Sequence, residues 1–205
     1  PRIDVELVEE TTAHLARLLQ TDEVDLLLDN CELDSEVFDR CVYREERLLL
    51  AVPRGLLVNQ RLLSYQIPVE RIRDGSFLDP ALPAVPLSAF REEPFILLKP
   101  ENDTWKRAAA IFQKNGFQPR VLFEVDQQLT SYNITSSGMG LSFIGDTLIS
   151  CVPPHSDVTY YKLQGEDSTR SIFFYWKRGR YISRAMEEFL REVRREPHSS
   201  AGARA

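Results

Sequence analysis

The chain has 205 residues, 43% of them apolar, enough for one sizeable hydrophobic core or two small lobes and too many for a disordered chain. Its 25 Lys plus Arg are outnumbered by 31 Asp plus Glu, giving a net charge of −6, so the chain repels a phosphate backbone overall and is not expected to grip DNA or RNA alone. Cys31, Cys41 and Cys151 lack metal-ligand spacing, and no apolar run approaches the roughly 18 to 20 residues of a membrane span; together with an N-terminus unlike a signal peptide, this points to a reducing, cytoplasmic setting and no membrane.

Residues 3–7, Ile-Asp-Val-Glu-Leu, alternate apolar and acidic side chains at the period of a half-exposed strand. Thr11 and Thr12 then open a helix whose Leu15, Leu18 and Leu19 fall at i, i+3 and i+4, and residues 24–28 read as a strand buried on both faces. A second such strand, Leu48-Leu49-Leu50-Ala51-Val52, is stopped by Pro53. Pro68, Pro80, Pro83, Pro86 and Pro94 punctuate the segment after it and exclude a long helix over residues 80–94, leaving room for a short one at 62–65. Residues 94–98 form the next buried strand, and Asn102-Asp103-Thr104 opens a helix with Ala108, Ile111 and Phe112 as its apolar stripe, ended by Asn115-Gly116. Residues 120–125 read as a strand carrying Val121, Phe123 and Val125 on one face. A helix over 127–137 comes next, stopped by Gly138, and then a strand at 141–144. Strands at 158–163 and 171–176 precede a last helix from about Ser183, with Met186, Phe189, Leu190 and Val193 on one face. The tail from residue 197 has no apolar period and is expected to be disordered. The order strand, helix, strand occurs twice, about 120 residues apart, which predicts two α/β lobes with parallel sheets.

Residues that could carry chemistry read mostly as structural. The doublets Glu9/Glu10, Glu45/Glu46 and Glu92/Glu93 point to different sides and read as solvated surface, and His14 and His155 lack partners at ligand spacing. Gly138-Met139-Gly140 ends a helix instead of opening one, and no Gly-x-Ser-x-Gly elbow exists. The arginines of residues 178–195 interleave with glutamates as a mixed solvated face. What stands out is a set of polar helix starts after strands: Thr11 and Thr12, Asp103 and Thr104, then Gln127, Gln128 and Thr130, with Asn30 just past the second strand. In parallel α/β sheets such starts gather at the carboxyl edge of the strands, where free N–H groups and hydroxyls can receive an anion or polar ligand. Each could also merely cap its own helix, an effect of about 1 kcal/mol.

The chain resembles the effector-binding regulatory domain of a LysR-type transcriptional regulator. The resemblance rests on residues 1–9 leading into Leu15, Leu18 and Val24-Asp25-Leu26, and on Arg47-Leu48-Leu49-Leu50-Ala51-Val52-Pro53. It continues through Phe112-Gln113-Lys114-Asn115-Gly116-Phe117-Gln118-Pro119, Ser137-Gly138-Met139-Gly140-Leu141-Ser142-Phe143-Ile144, and Tyr181-Ile182-Ser183-Arg184-Ala185 with Phe189. It implies an α/β fold of two Rossmann-like lobes joined by two crossover strands, like a type 2 periplasmic binding protein, with a small effector in the inter-lobe cleft and no catalysis, cofactor or metal. Residues 1–53 with 176–196 would form the first lobe, 54–175 the second and 197–205 the tail. The effector, a carboxylate among the candidates, would meet Thr11, Thr12, Asn30, Asp103, Thr104, Gln128, Thr130 and Phe173, the last through the resemblance alone. Val52-Pro53 and Phe174-Tyr175 would be the hinge. The resemblance further implies a homodimer or homotetramer that reaches DNA through a winged helix-turn-helix which, with one strand and helix of the lobe itself, would precede Pro1. The alternative is a solute-binding protein of a transport system with the same two-lobed plan. Residues 55–93 are longer than usual in the family and suggest no function.

Overall fold

The computed structural model describes residues 3–195, so the expected disordered tail lies outside the described residues. The described residues divide into two units: Glu46–Arg170, and those up to Glu45 together with those after Arg170.

The apolar run at 48–52 belongs to a long strand, β2 (Phe38–Pro53), whose second half is the spine of the Glu46–Arg170 unit. Leu48, Leu50 and Val52 face one core and Leu49 and Ala51 the other, all at most 1% exposed, which explains why the run does not alternate with polar residues. The other strands of this unit are β3 (Gln66–Ile67), β4 (Pro94–Leu98), β5 (Arg120–Val125), β6 (Leu141–Gly145) and β7 (Val158–Lys162). Their order is β3-β7-β2-β6-β4-β5. Strand β4 is parallel to both β5 and β6, and β2 is antiparallel to β6 and β7.

Helix α3 (Asp103–Lys114) covers the first face through Ala108, Ile111 and Phe112, the last edge-on to Phe95 at 4.9 Å and to Phe143 at 5.4 Å. Helices α4 (Gln128–Ser136) and α5 (Asp146–Cys151) place Tyr132 and Ile149 in the second core. Both α3 and α4 begin just beyond the carboxyl ends of parallel strands, as crossover connections require. Gly138, at φ 90°, turns the chain immediately after the last residues of α4, in the left-handed region that glycine enters without strain.

The proline-rich residues 55–93 fold as short pieces. Tight turns at Leu57–Arg61, Leu63–Tyr65, Ser76–Leu78 and Leu87–Phe90 and the brief α2 (Val69–Arg73) send Leu62, Val85, Leu87 and Phe90 into the first core and Ile72 and Phe77 into the second. Buried Asn59 ties the segment down: its amide donates to the carbonyls of Pro53 and Arg54, and Tyr161 donates its hydroxyl to Asn59 Oδ1. Strand β5 ends the sheet, and Val121 and Phe123 are 42% and 44% exposed.

In the other unit, α1 (Thr12–Gln20), β1 (Leu27–Asp29), β8 (Thr169–Lys177) and α6 (Arg184–Arg195) join the first half of β2 in the order β1-β8-β2. Leu19, Leu27, Phe38 and Tyr175 form its small core, and Phe174, on the opposite face of β8, meets Tyr43 and Phe189 edge-on at 5.2 and 5.8 Å. Two expectations are corrected. Residues 3–7 form no strand and Leu7 is 90% exposed, because alternation creates a strand only where a neighbouring strand accepts its hydrogen bonds. The run at 24–28 yields only the short β1, with Leu28 48% exposed, so it is not covered on both faces.

Candidate functional site

Thr11 caps α1, accepting the His14 N–H, and Thr12 in the first turn donates its hydroxyl to Asp29 Oδ2 at 2.7 Å. The other oxygen of Asp29 takes the Cys31 N–H at 2.8 Å, so the end of β1, the start of α1 and the turn holding Asn30 are one polar cluster. Phe173, paired with Asp29 across the β1–β8 ladder, packs at the margin of the small core beneath the Arg40 guanidinium, 4.3 Å from the ring centre. Arg40 also donates to the Tyr175 hydroxyl and to Glu32, which raises its pKa, and Tyr175 in turn donates to the Cys31 carbonyl.

A second cluster lies in the Glu46–Arg170 unit, at the carboxyl ends of its parallel strands. Asn102 caps α3 by accepting the Thr104 N–H, which leaves Asp103 and Thr104 in the first turn. Gln128, the first residue of α4, donates Nε2 to Thr104 Oγ1 at 2.8 Å while its Oε1 accepts the Gly145 N–H at 3.0 Å. The second bond fixes the amide, since the backbone N–H must meet oxygen, so nitrogen faces Thr104. Arg170 Nη1 also donates to Thr104 Oγ1, at 2.9 Å. With both lone pairs engaged, the Thr104 hydroxyl has only its proton left to offer.

Arg170 completes the cluster, and its side chain is 3% exposed. Its guanidinium contacts Glu46 at 2.6 and 2.7 Å and Asp103 at 3.0 Å, and Arg107 adds a 2.7 Å bond to the same Asp103 oxygen. Two carboxylates thus meet two guanidiniums. A Cβ on Gly145 would collide with the Glu46 carboxylate, so glycine there is what admits the acid.

Thr104 and Gln128 are therefore brought together with Asp103, and Thr11, Thr12 and Asn30 adjoin one another in the other unit. Thr130 is exposed on α4, and no hydrogen bond joins it to the cluster among the described residues. The surface reading of the Glu45/Glu46 doublet is corrected for Glu46, which is 4% exposed. The chain passes between units at Glu45–Glu46 and Arg170–Ser171. The expected hinge residues lie inside ladders: Val52 and Pro53 against Thr159 and Val158, Phe174 and Tyr175 against Leu28 and Leu27. Arg107, Gly145 and Arg170 were not singled out from the sequence, and Glu46 only as a surface residue. The usable signal was Glu46 adjoining the buried run at 48–52, since an acid carried into a core needs a cation beside it. Among the described residues no three His, Cys, Asp or Glu side chains form a group able to hold a metal, and no helix is long and apolar enough to cross a membrane.

Comparison with known proteins gives consistent findings. The sequence model described as the LysR substrate binding domain matches residues 1–197. An uncharacterized HTH-type transcriptional regulator of Bacillus subtilis (strain 168), YcgK, is 26% identical over 203 residues, 96% of this chain and 58% of that protein, so the chain spans little more than half of that relative. The effector-binding domain of BenM with its effector benzoate superposes with a TM-score of 0.65 at 19% identity, covering 92% of this chain and 77% of that one. The effector-binding domain of QuiR in complex with shikimate gives 0.66 at 14% identity, covering 90% and 77%.

Proposed function

Because the chain belongs to the LysR substrate-binding domain family, with the two-unit α/β fold of its effector-binding domains, we propose that it is the ligand-sensing regulatory part of a bacterial transcriptional regulator, holding a small metabolite without transforming it. The observation that carries the reading is Thr104: Gln128 and Arg170 force its hydroxyl to act as a donor, and the start of α3 adds backbone dipoles of the same sense. Such a group recognises an acceptor oxygen. Benzoate and shikimate, bound by BenM and QuiR, both present a carboxylate, and we take a small organic acid as the ligand class for this chain. Because the acids and guanidiniums around Thr104 balance, selectivity for the acid rests on oriented donors more than on net charge. Within the other unit, Thr12 and Asn30 form a polar turn of their own with Phe173 as an aromatic face beside it.

A ligand shifts a conformational equilibrium only by its differential affinity for the two states, so the acid must bind one arrangement of the regulator better than another. In the intact protein, which we take to be cytoplasmic and a homodimer or homotetramer, that preference would pass to a DNA-binding winged helix-turn-helix. Calorimetric titration with a panel of small organic acids, their amides and amines tests the reading. Acids should bind and be recovered unchanged, and binding confined to neutral or cationic compounds would reject it. Thr104→Val should weaken the best acid by about 1 kcal/mol, roughly fivefold, while Thr104→Ser keeps most of the affinity.

A further inference from the structure

The first turn of α3 carries a second recognition element beside the Thr104 hydroxyl. Both guanidiniums that meet the Asp103 carboxylate arrive at one oxygen: Oδ2 takes Arg170 Nη1 at 3.0 Å and Arg107 Nε at 2.7 Å. Oδ1 has no hydrogen-bond partner among the described residues, and the side chain is 17% exposed, so this oxygen stays within reach of a ligand. Arg170 Nη1 also donates to Thr104 Oγ1, at 2.9 Å. The Thr104 hydroxyl and the Asp103 carboxylate thus hang from a single nitrogen and sit side by side.

The two groups are opposite in polarity. With its lone pairs taken by Gln128 and Arg170, Thr104 offers a proton, whereas a carboxylate oxygen only accepts. A ligand oxygen without a proton, set against Oδ1, would leave two acceptors facing each other. The group that meets Oδ1 must therefore bring a hydrogen. A neutral donor suits it better than an ammonium, because Arg170 and Arg107 already compensate Asp103 and would repel a further cation.

Resting on the reading above, in which Thr104 takes an acceptor oxygen of a small organic acid, we propose that Asp103 is a specificity-determining residue and that the ligand class is narrower: a compact hydroxy acid. Its carboxylate lies on Thr104 and a neighbouring hydroxyl donates to Asp103 Oδ1.

Calorimetric titration of the whole chain with matched acids tests this. Lactate and propionate, 3-hydroxybutyrate and butyrate, and mandelate and phenylacetate each differ by one hydroxyl. In at least one pair the hydroxy acid should bind about tenfold more tightly. Its methyl ether should lose that advantage, since methylation removes the proton and keeps the oxygen, and its amino analogue should bind more weakly than the hydroxy acid. Asp103→Asn turns its carbonyl to the guanidiniums and its N–H groups to the ligand, so the affinity ratio of hydroxy acid to methyl ether should fall about tenfold. Taking the ratio cancels the change in net charge, which both acids feel alike, and the wild-type comparisons decide the matter even if the variant does not fold. Equal binding within every pair, a methyl ether or amino analogue as tight as its hydroxy acid, or an unchanged ratio in Asp103→Asn would overturn the proposal and leave the acid reading standing. Failure of every acid to bind would reject both.

Discussion

Arg170 holds together groups that the sequence scatters, pairing with Glu46 across 124 positions and with Asp103 across 67. Removing one member of a buried ion pair leaves the other without compensation, at a cost of about 3–5 kcal/mol. Arg170→Met is therefore expected to lower the unfolding free energy by about that amount in urea titrations, and Glu46→Leu added to it should recover a good part, since no charge then stays stranded. Recovery by the double variant separates desolvation from simple loss of packing. At this scale the sequence was legible where a local rule applies. Thr104 and Gln128 announce themselves as polar residues opening helices. Glu46 and Arg170 do not, because pairing at such separation leaves no periodic mark, and a glutamate doublet looks the same whether or not one member is buried.

Elements with neighbours on both sides were the readable ones. Strand β4 and residues 48–53 of β2 are apolar throughout, and β6 is interrupted only by Ser142 and Gly145, because both faces are covered, and helix α3 carries its stripe at the expected spacing. The first half of β2, Phe38–Asp39–Arg40–Cys41–Val42–Tyr43–Arg44–Glu45, is hidden by its charges, since its side chains are covered only in part. Strand β7 makes a measurable prediction. Burial pushes the Tyr160 phenol far above its ordinary value, assisted by its hydrogen bond with Tyr132, and burial likewise raises adjacent Tyr161. The unfolded chain ionises both near pH 10.0, whereas the folded chain keeps them protonated, so the stability is intact at lower pH and is lost progressively as pH rises past that value. Thermal melts from neutrality to about pH 11 should show the fall, and Tyr160→Phe, having no proton to release there, should flatten it.

For the whole molecule, the uncovered edge at β5 matters most. Val121, Leu122 and Phe123 are each more than 40% exposed on a terminal strand, an arrangement that invites pairing with another chain. If the chain self-associates there, Phe123→Lys should lower its mass in light scattering at micromolar concentration while leaving the circular dichroism unchanged; an unchanged mass would place any assembly elsewhere.

Because Glu46–Arg170 is continuous while the other unit needs residues from both sides of it, the two differ in when they can be finished on the ribosome. The inner one has every residue it requires once Arg170 has left the exit tunnel. The outer one must wait for β8 and α6, keeping its early residues without their sheet partner throughout the synthesis of the insert. A fragment of residues 46–170 should consequently fold by itself, with cooperative melting and near-ultraviolet dichroism, while residues 1–45 in isolation should give neither. Nascent-chain protection from protease should likewise arrive in two steps, inner before outer.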